Sequence, residues 1–197
     1  EEPDLWLISK AAGVPFHAED GHQGLCASVR EGLGIKTLYP VHRLDKVTSG
    51  LILFARTDAA AAQLGALFAA HQIQKTYWAL SDKPPRKKQG WVKGDMQKSR
   101  NGCYQLCRSH NNPAITYFTS HTLAPHLRAY VLQPKTGKTH QLRVAMKSLG
   151  SPILGDVRYG GTPAARTYLH AQRLAFDWQG QAKIFELEPE DWLDGPA

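Results

Sequence analysis

Five consecutive apolar residues, Leu51-Ile52-Leu53-Phe54-Ala55, constrain the fold of this chain more than any other feature. The run is bounded by Gly50 on one side and by Arg56 on the other, a pattern typical of a buried strand. The ten residues before it, 41–50, are mostly polar and predict a loop that leads into the strand. Reactive groups are commonly mounted on loops that a rigid scaffold positions. We therefore expect functional chemistry at this loop.

The loop contains one carboxylate, Asp45, with Arg43 two residues before it and Lys46 directly after it. A neighbouring cation keeps an aspartate ionised, which suits Asp45 to nucleophilic attack or electrostatic stabilisation rather than to proton donation. The run Thr48-Ser49-Gly50 supplies hydroxyls and backbone freedom for a sharp turn. From residue types alone, an ordinary loop salt bridge between Arg43 and Asp45 is the alternative.

The composition favours one globular domain, residues 1–197, with a polyanionic partner. The chain has 42% hydrophobic residues, and 24 Lys and Arg against 17 Asp and Glu give a net charge of +7. Eight basic and two acidic side chains lie within residues 82–108, interleaved with Trp91 and Tyr104. We call this segment the basic arm. Basic groups meet phosphates and aromatic rings stack on bases, so the arm predicts an RNA contact; a solvated hairpin without a partner is the alternative.

Three cysteines and the lack of an apolar leader predict a chain of the reducing cytoplasm without disulfides. No run approaches the roughly 18 apolar residues of a membrane span, so we expect no membrane partner. Cys103, Cys107 and His110 have an unusual spacing for zinc and no convincing fourth ligand nearby, so we expect no metal site.

Two further segments combine regular structure with reactive side chains. Residues 75–80 predict a strand in which Tyr77 shares one face with Ala79, and from this pattern alone Tyr77 is either a core or a catalytic residue. Residues 127–144 predict a strand, a glycine-containing turn and a helix. The turn Gly137-Lys138-Thr139 suggests a phosphate loop, but Leu132 stands where that motif requires glycine. Nucleotide hydrolysis is excluded on that ground.

Several motifs together resemble one known family. The string HRLDKVTSG at residues 42–50 resembles the HRLD-x-x-TSG signature of the RluA family of RNA pseudouridine synthases. Residues 75–80 are similar to the second family motif, K-T-Y-x-A-L, and residues 134–144 to the third, P-x-T-G-[RK]-T-H-Q-[IL]-R-V. Residues 152–160 and 169–176 resemble the later P-I-x-G-D-x-x-Y-G and L-H-A-x-x-L-x-F segments. Two positions depart from the family pattern. Ala11 stands where the family has Pro, and Ala145 stands where many members have His.

The resemblance implies a role for five side chains. Asp45 is the expected catalytic residue, and Arg143 is expected to pair with it. Tyr77 is expected to lie against the target base, and Leu169 to close the apolar side of the uracil pocket. Arg43 is expected to help flip the uridine out of the RNA.

The resemblance also implies the fold and the reaction. The expected fold is α+β, the pseudouridine synthase fold: a mixed, largely antiparallel sheet with flanking helices and a central cleft. The expected reaction is isomerisation of uridine to pseudouridine in RNA, with no cofactor. Ribosomal RNA is the first expected substrate and transfer RNA the second, and we expect a monomer. His42 is expected to support the signature loop, and Asp156 to stabilise a turn.

Two other classes of protein fit parts of the sequence. An RNA-binding module or chaperone would keep the basic surface without catalysis, but Asp45 and Arg143 are both present. A glycoside hydrolase also uses carboxylates on a sugar, but it normally needs a pair at a set separation. No second acid lies within a catalytic motif, so this alternative is the weaker one.

Overall fold

The computed structural model describes residues 3–19, 21–190 and 192, and its fold is α+β. The helices are α1 (Leu25–Leu33), α2 (Asp58–Ala69) and α3 (Gln141–Ser148). The strands are β1 (Leu5–Lys10), β2 (Tyr39–Pro40), β3 (Ser49–Ala55), β4 (Gln74–Ser81), β5 (Gln89–Gly94), β6 (Met96–Lys98), β7 (Tyr104–Leu106), β8 (Ala114–Ala124), β9 (Leu127–Pro134), β10 (Leu169–Trp178) and β11 (Gln181–Glu186).

One nine-stranded sheet organises these elements. Its main order is β1-β3-β10-β4-β9-β8-β5, with β2 added to β3 and β11 added to β10. Every pairing in this sheet is antiparallel except the short one between β3 and β10. Strands β6 and β7 form a separate two-stranded sheet within the basic arm. The predicted mixed, largely antiparallel sheet with flanking helices is confirmed.

Strand β3 confirms the predicted buried strand, and it begins two residues earlier than expected. All seven of its residues are buried, and Ser49 and Gly50 already belong to it rather than to the loop. Gly50 has φ 113°, and a Cβ at this position would collide with the backbone of Ala171 on β10. The glycine is therefore needed where the signature loop enters the sheet, because two strands approach each other closely there.

Helix α2 begins after a residue type that is favoured at the N-cap. Thr57 Oγ1 accepts a hydrogen bond from the backbone N–H of Ala60 at 3.1 Å, and Asp58 lies in the first turn, where a negative charge complements the helix dipole. Leu64 is fully buried against the sheet. The helix is scaffold, and its C-terminal end reaches the cleft described below.

Helix α3 packs across β8 and β9 and brings the third motif to the sheet. Residues 141–146 are all buried, and Met146 and Leu142 join Phe118 and Leu132 of the sheet in one core cluster. Fully burying each such apolar side chain contributes about 1.5–3 kcal/mol. In the described part of the chain, no helix is long and apolar enough to span a membrane.

The strand register separates the two faces of the sheet. Tyr77, Leu132 and Phe118 are cross-strand partners, and the last two pack against α3. In the same sheet, Trp91 of β5 is paired with Tyr117 of β8 and therefore points to the opposite face. The two aromatic residues of the basic arm have different surroundings. Trp91 is 44% exposed, whereas Tyr104 lies against His140.

Candidate active site

The three motifs meet at one cleft of about 430 Å³. Its walls are the signature loop, the end of α2, the start of β4, the turn after β9 and the start of α3. The five side chains singled out in the sequence all line it: Arg43, Asp45, Tyr77, Arg143 and Leu169. Strand pairing explains the convergence, because Tyr77 on β4 lies opposite Ala171 on β10, and Gly50 lies beside the same Ala171.

The signature loop is held in place by a buried lysine, Lys10, to which the sequence patterns assigned no role. The Lys10 ammonium donates hydrogen bonds to the carbonyl oxygens of Ala11, Lys46 and Thr48 at 3.0, 3.1 and 2.8 Å. Burial lowers the pKa of Lys10 to about 8, against the opposing influence of the Asp45 carboxylate. Lys10 therefore ties the backbone that directly follows Asp45 to the end of β1.

His42 supports the same loop from the side of the sheet. Its Nε2 accepts a hydrogen bond from the backbone N–H of Leu53 at 2.9 Å, and its ring stacks on Phe68 with centroids 4.6 Å apart. Burial lowers the pKa of His42 to about 3, and the charge of Lys75 acts in the same direction. The imidazole is therefore neutral at ordinary pH, which agrees with the supporting role expected of it.

The neutral state of His42 predicts a specific pH dependence of stability. Below a pH of about 6.5 the unfolded chain protonates this histidine while the folded chain does not, so stability falls as the pH decreases from 6.5 towards 3. His42→Gln keeps an acceptor for Leu53 and removes the titration. Between pH 7 and pH 5, we expect the native chain to lose about 1–2 kcal/mol more unfolding free energy than the variant. Urea unfolding at both pH values measures this; equal losses in the two proteins would contradict it.

Arg143 lies between two carboxylates. Its Nη1 is 3.6 Å from Asp45 Oδ2, while Nε and Nη2 donate to the two oxygens of Asp156 at 2.8 Å each. The side chains of Arg143 and Asp156 are 5% and 2% exposed, against 27% for Asp45. Burial opposes the charge of Arg143, but the hydrogen bonds and charge of Asp156 outweigh it and raise the pKa of the guanidinium. The arginine is therefore a fixed cation beside a partly open aspartate.

This arrangement corrects the interpretation of Asp156. Its side chain is the bidentate partner of Arg143, and the turn at residues 153–161 is made by backbone hydrogen bonds instead. Sequence reasoning noticed Asp156 in the G-D-x-x-Y-G segment, but sequence distance gave no sign that it meets Arg143. The geometry is the tight, two-pronged one that arginine and carboxylate form when both are desolvated.

Tyr77 faces the cleft as a neutral phenol. Burial raises its pKa, and the Asp45 carboxylate nearby raises it further. A phenol that does not ionise offers an aromatic face and a hydroxyl, not a basic oxygen. In the cleft, Tyr77 is therefore suited to contacting a flat base.

The turn between β9 and α3 is held by Gln141, another residue that the sequence patterns did not single out. Its Oε1 accepts from Thr136 Oγ1 at 2.8 Å and from the Lys138 N–H at 2.9 Å. Its Nε2 donates to the Ile115 carbonyl at 3.1 Å and to Thr116 Oγ1 at 3.0 Å. All hydrogen-bonding positions of the buried amide are thus used to fix one wall of the cleft.

Arg43 reaches across the mouth of the cleft to this turn. Its Nη2 donates to Thr139 Oγ1 at 3.3 Å. Within residues 3–19, 21–190 and 192, no ion pair joins Arg43 to Asp45, so the alternative of an ordinary loop salt bridge is wrong. The cation of Arg43 is exposed and lies at the entrance to the cleft.

His140 and Tyr159 connect the basic arm to the site. The Tyr159 hydroxyl lies 2.7 Å from His140 Nδ1 and accepts from the backbone N–H of Tyr104, on β7 of the arm, at 3.0 Å. The Arg143 guanidinium lies over the Tyr159 ring, 4.8 Å from its centroid. One tyrosine therefore touches the arm, the turn and the buried arginine. In the described part of the chain, no group of three or more His, Cys, Asp or Glu side chains is placed to share a metal ion.

A solved structure has the same fold as this chain. Human RNA pseudouridylate synthase domain containing 1 superposes with a TM-score of 0.80 over 96% of this chain and 81% of its own, at 22% identity. At that identity the likeness concerns the fold alone. It shows that the sheet and helices described above are arranged as in that protein.

Sequence relatives carry the identification further. A family model described as RNA pseudouridylate synthase matches residues 4–148. A Haemophilus influenzae protein named as an uncharacterized RNA pseudouridine synthase is 51% identical over 180 residues, which cover 90% of this chain and 80% of that protein. This chain belongs to the RNA pseudouridylate synthase family, and within it to the RluA type. It is an isomerase that converts uridine to pseudouridine in RNA.

Two other relatives differ in the RNA that their names specify. Ribosomal large subunit pseudouridine synthase D of Zymomonas mobilis is 34% identical over 192 residues, covering 91% of this chain and 60% of that protein. The tRNA pseudouridine synthase C of Pasteurella multocida is 30% identical over 224 residues, covering 98% of this chain and 92% of that protein. This chain therefore spans three fifths of the length of one relative and nearly all of the other.

Proposed function

We propose that this chain isomerises specific uridines of ribosomal RNA, with Asp45 as the catalytic residue. The observation that carries the proposal is the position of Asp45 in the cleft, partly open and 3.6 Å from the buried Arg143 guanidinium. In this position the carboxylate is open to a substrate, and the guanidinium beside it is buried. Transfer RNA is the second candidate substrate.

The reaction defines what the site has to do. The N1–C1′ bond breaks, the freed uracil turns, a C5–C1′ bond forms, and the proton on C5 is lost while N1 gains one. No electron is transferred and no external energy is needed. Asp45 serves by attacking the ribose, by attacking the base or by assisting proton removal at C2′, and its location is compatible with each.

The other proposed roles follow from the surroundings of each side chain. Arg143 holds the Asp45 carboxylate in place and balances its charge. Tyr77, a neutral phenol in the cleft, contacts the flat face of the uracil, and Leu169 closes the apolar side. A uridine in folded RNA must be flipped out to reach them. Arg43, at the mouth, fills the vacated stack or holds a flanking phosphate.

We also propose that residues 1–197 act as one catalytic domain, as a monomer in the cytoplasm, with the basic arm as a second RNA contact. In the basic arm, Lys98 and Arg100 are exposed. Strand β7 of the arm is connected to the site through the hydrogen bond from the Tyr104 N–H to Tyr159. Basic residues on a surface of this kind bind phosphates and release counterions.

The contribution of the arm is testable through salt dependence. We expect Lys98→Gln combined with Arg100→Gln to reduce the slope of log affinity against log salt by about 0.7–0.9 for each phosphate that the arm no longer neutralises. The rate at saturating RNA should not change, because neither residue lines the cleft. Filter binding from low to moderate salt measures the slope. Arg30→Gln combined with Lys183→Gln is the matched control, since it removes the same charge outside the arm; an equal slope in both variants would contradict the proposal.

The function itself is tested by tritium release from uridine labelled at C5. Bulk RNA is prepared from cells lacking the protein and separated into ribosomal and transfer fractions. We expect release from the ribosomal fraction. Release from transfer RNA alone would overturn the substrate assignment, and RNA binding with no release from either fraction would favour the binding-module alternative for those substrates.

A further inference from the structure

His140 lines the cleft and has one ring nitrogen, Nε2, for which the described residues provide no hydrogen bond. The residue lines the cleft at the N-cap of α3 and is half-buried. Its Nδ1 is bonded to the Tyr159 hydroxyl. Within residues 3–19, 21–190 and 192, no hydrogen bond involves its Nε2. The reaction as described above assigns no role to this residue.

The partner of Nδ1 determines which nitrogen carries the proton. The Tyr159 oxygen accepts from the Tyr104 N–H, and the acceptor for its own proton among the described residues is His140 Nδ1. Burial lowers the pKa of His140, and Arg143 and Arg158 act in the same direction against Asp45 and Asp156. A neutral imidazole that accepts at Nδ1 bears its hydrogen at Nε2. Nε2 is therefore an N–H donor.

The backbone supports a functional interpretation. His140 has φ 58° and ψ 18°, in the left-handed region, which is uncommon for residues other than glycine even though asparagine, aspartate and histidine are enriched there. Such conformations cost of order 1–3 kcal/mol and cluster at active sites and ligand clamps. Here the conformation places the ring between Tyr104 and Tyr159, with centroids 5.6 Å from each. The two rings fix the direction of the imidazole.

We propose that His140 is a substrate-contacting residue whose Nε2–H donates a hydrogen bond to an oxygen of the target nucleotide. This inference rests on the proposed function. A neutral N–H donor selects a carbonyl or phosphate oxygen and disfavours an amino group. Uracil presents carbonyl oxygens at C2 and C4, and the nucleotide adds its phosphates, so both sources share the same acceptor chemistry.

Two substitutions separate the donor from the backbone. In His140→Gln the side-chain amide reaches the position of Nε2, whereas in His140→Asn it reaches only that of Nδ1. Asparagine is the residue that best tolerates the left-handed conformation, so backbone strain cannot explain a loss in that variant. The substrate is a short stem-loop RNA around the uridine that sequencing identifies as modified, and the readout is the single-turnover rate of tritium release.

We expect His140→Asn to lower the single-turnover rate by about 10–100-fold, the range for leaving one hydrogen-bonding group without its partner. His140→Gln should remain within about fivefold of the native chain, because it restores the donor. The proposal would be overturned if His140→Asn kept the native rate. It would also be overturned if both variants lost the same factor in rate while having equal free energies of unfolding. Failure of the proposed function is a separate outcome, since the native chain would then release no tritium.

Chemically modified RNAs identify which oxygen of the target nucleotide accepts the hydrogen bond from His140. Stem-loops carrying 2-thiouridine, 4-thiouridine or a methylphosphonate beside the target uridine each weaken one acceptor. When the modification is at the oxygen that His140 contacts, we expect the rate of the native chain to fall. The ratio of the native rate to the His140→Asn rate should then approach one, because this RNA cannot form the hydrogen bond with either protein. An undiminished ratio with all three substrates would overturn the contact.

Discussion

Asp45→Asn should lower the rate of pseudouridine formation by at least about a thousandfold, because it removes the negative charge and the nucleophilic oxygen while keeping the shape of the side chain. The affinity for RNA should change by no more than about threefold, since phosphate contacts elsewhere dominate it. Single-turnover tritium release and filter binding on the same RNA measure the two quantities.

The matched control for this substitution is Asp58→Asn. Asp58 is an exposed aspartate in the first turn of α2, and it does not line the cleft. The Asp58→Asn variant should form pseudouridine at the native rate. Loss of a catalytic carboxylate lowers a rate by orders of magnitude. If Asp45→Asn retained more than about a tenth of the native rate, Asp45 would not be the catalytic residue.

Asp156→Asn should be the most destabilising of the proposed substitutions. The change removes one charge from a buried, doubly hydrogen-bonded pair and leaves the Arg143 guanidinium without its nearest counter-charge. Breaking such a pair from one side costs about 3 kcal/mol or more of unfolding free energy. The rate should also fall by at least about tenfold, because Arg143 is then free to move relative to Asp45.

A partly exposed ion pair between β10 and β11 provides the comparison. Arg173 Nε lies 2.9 Å from Glu186 Oε1, with side chains 27% and 54% exposed. Glu186→Gln should cost less than about 1 kcal/mol and leave the rate unchanged, because water already screens the pair. Urea unfolding of the two variants gives the contrast. Similar losses in both would show that the pair of Arg143 and Asp156 is not held in a desolvated environment.

The local elements were readable from the sequence because each depends on neighbours along the chain. The apolar run 51–55 predicts β3, and alternation in residues 75–80 predicts β4. The boundary of β3 was placed two residues late. Gly50 looked like a turn residue, whereas close approach to Ala171 is what the fold requires of it.

The candidate site was only partly readable. The motif strings singled out Asp45, Arg43, Tyr77, Arg143 and Leu169, and all five line the cleft. Lys10, Gln141, Tyr159 and His140 were not assigned roles. Each acts through partners far away in the chain, as when Lys10 bonds the carbonyl oxygens of residues 46 and 48. Sequence spacing carries no information about such contacts.

By itself, the sequence determined the fold class, the reaction class and five side chains that line the cleft. These depend on local patterning and on motifs whose members lie within about ten residues of one another. Only the tertiary structure decided that Asp156 anchors Arg143, that Arg43 reaches Thr139 and that Tyr159 joins the arm to the site. The physical reason is that these groups meet where strands and loops distant in sequence converge, and burial there sets which charges and protons they keep.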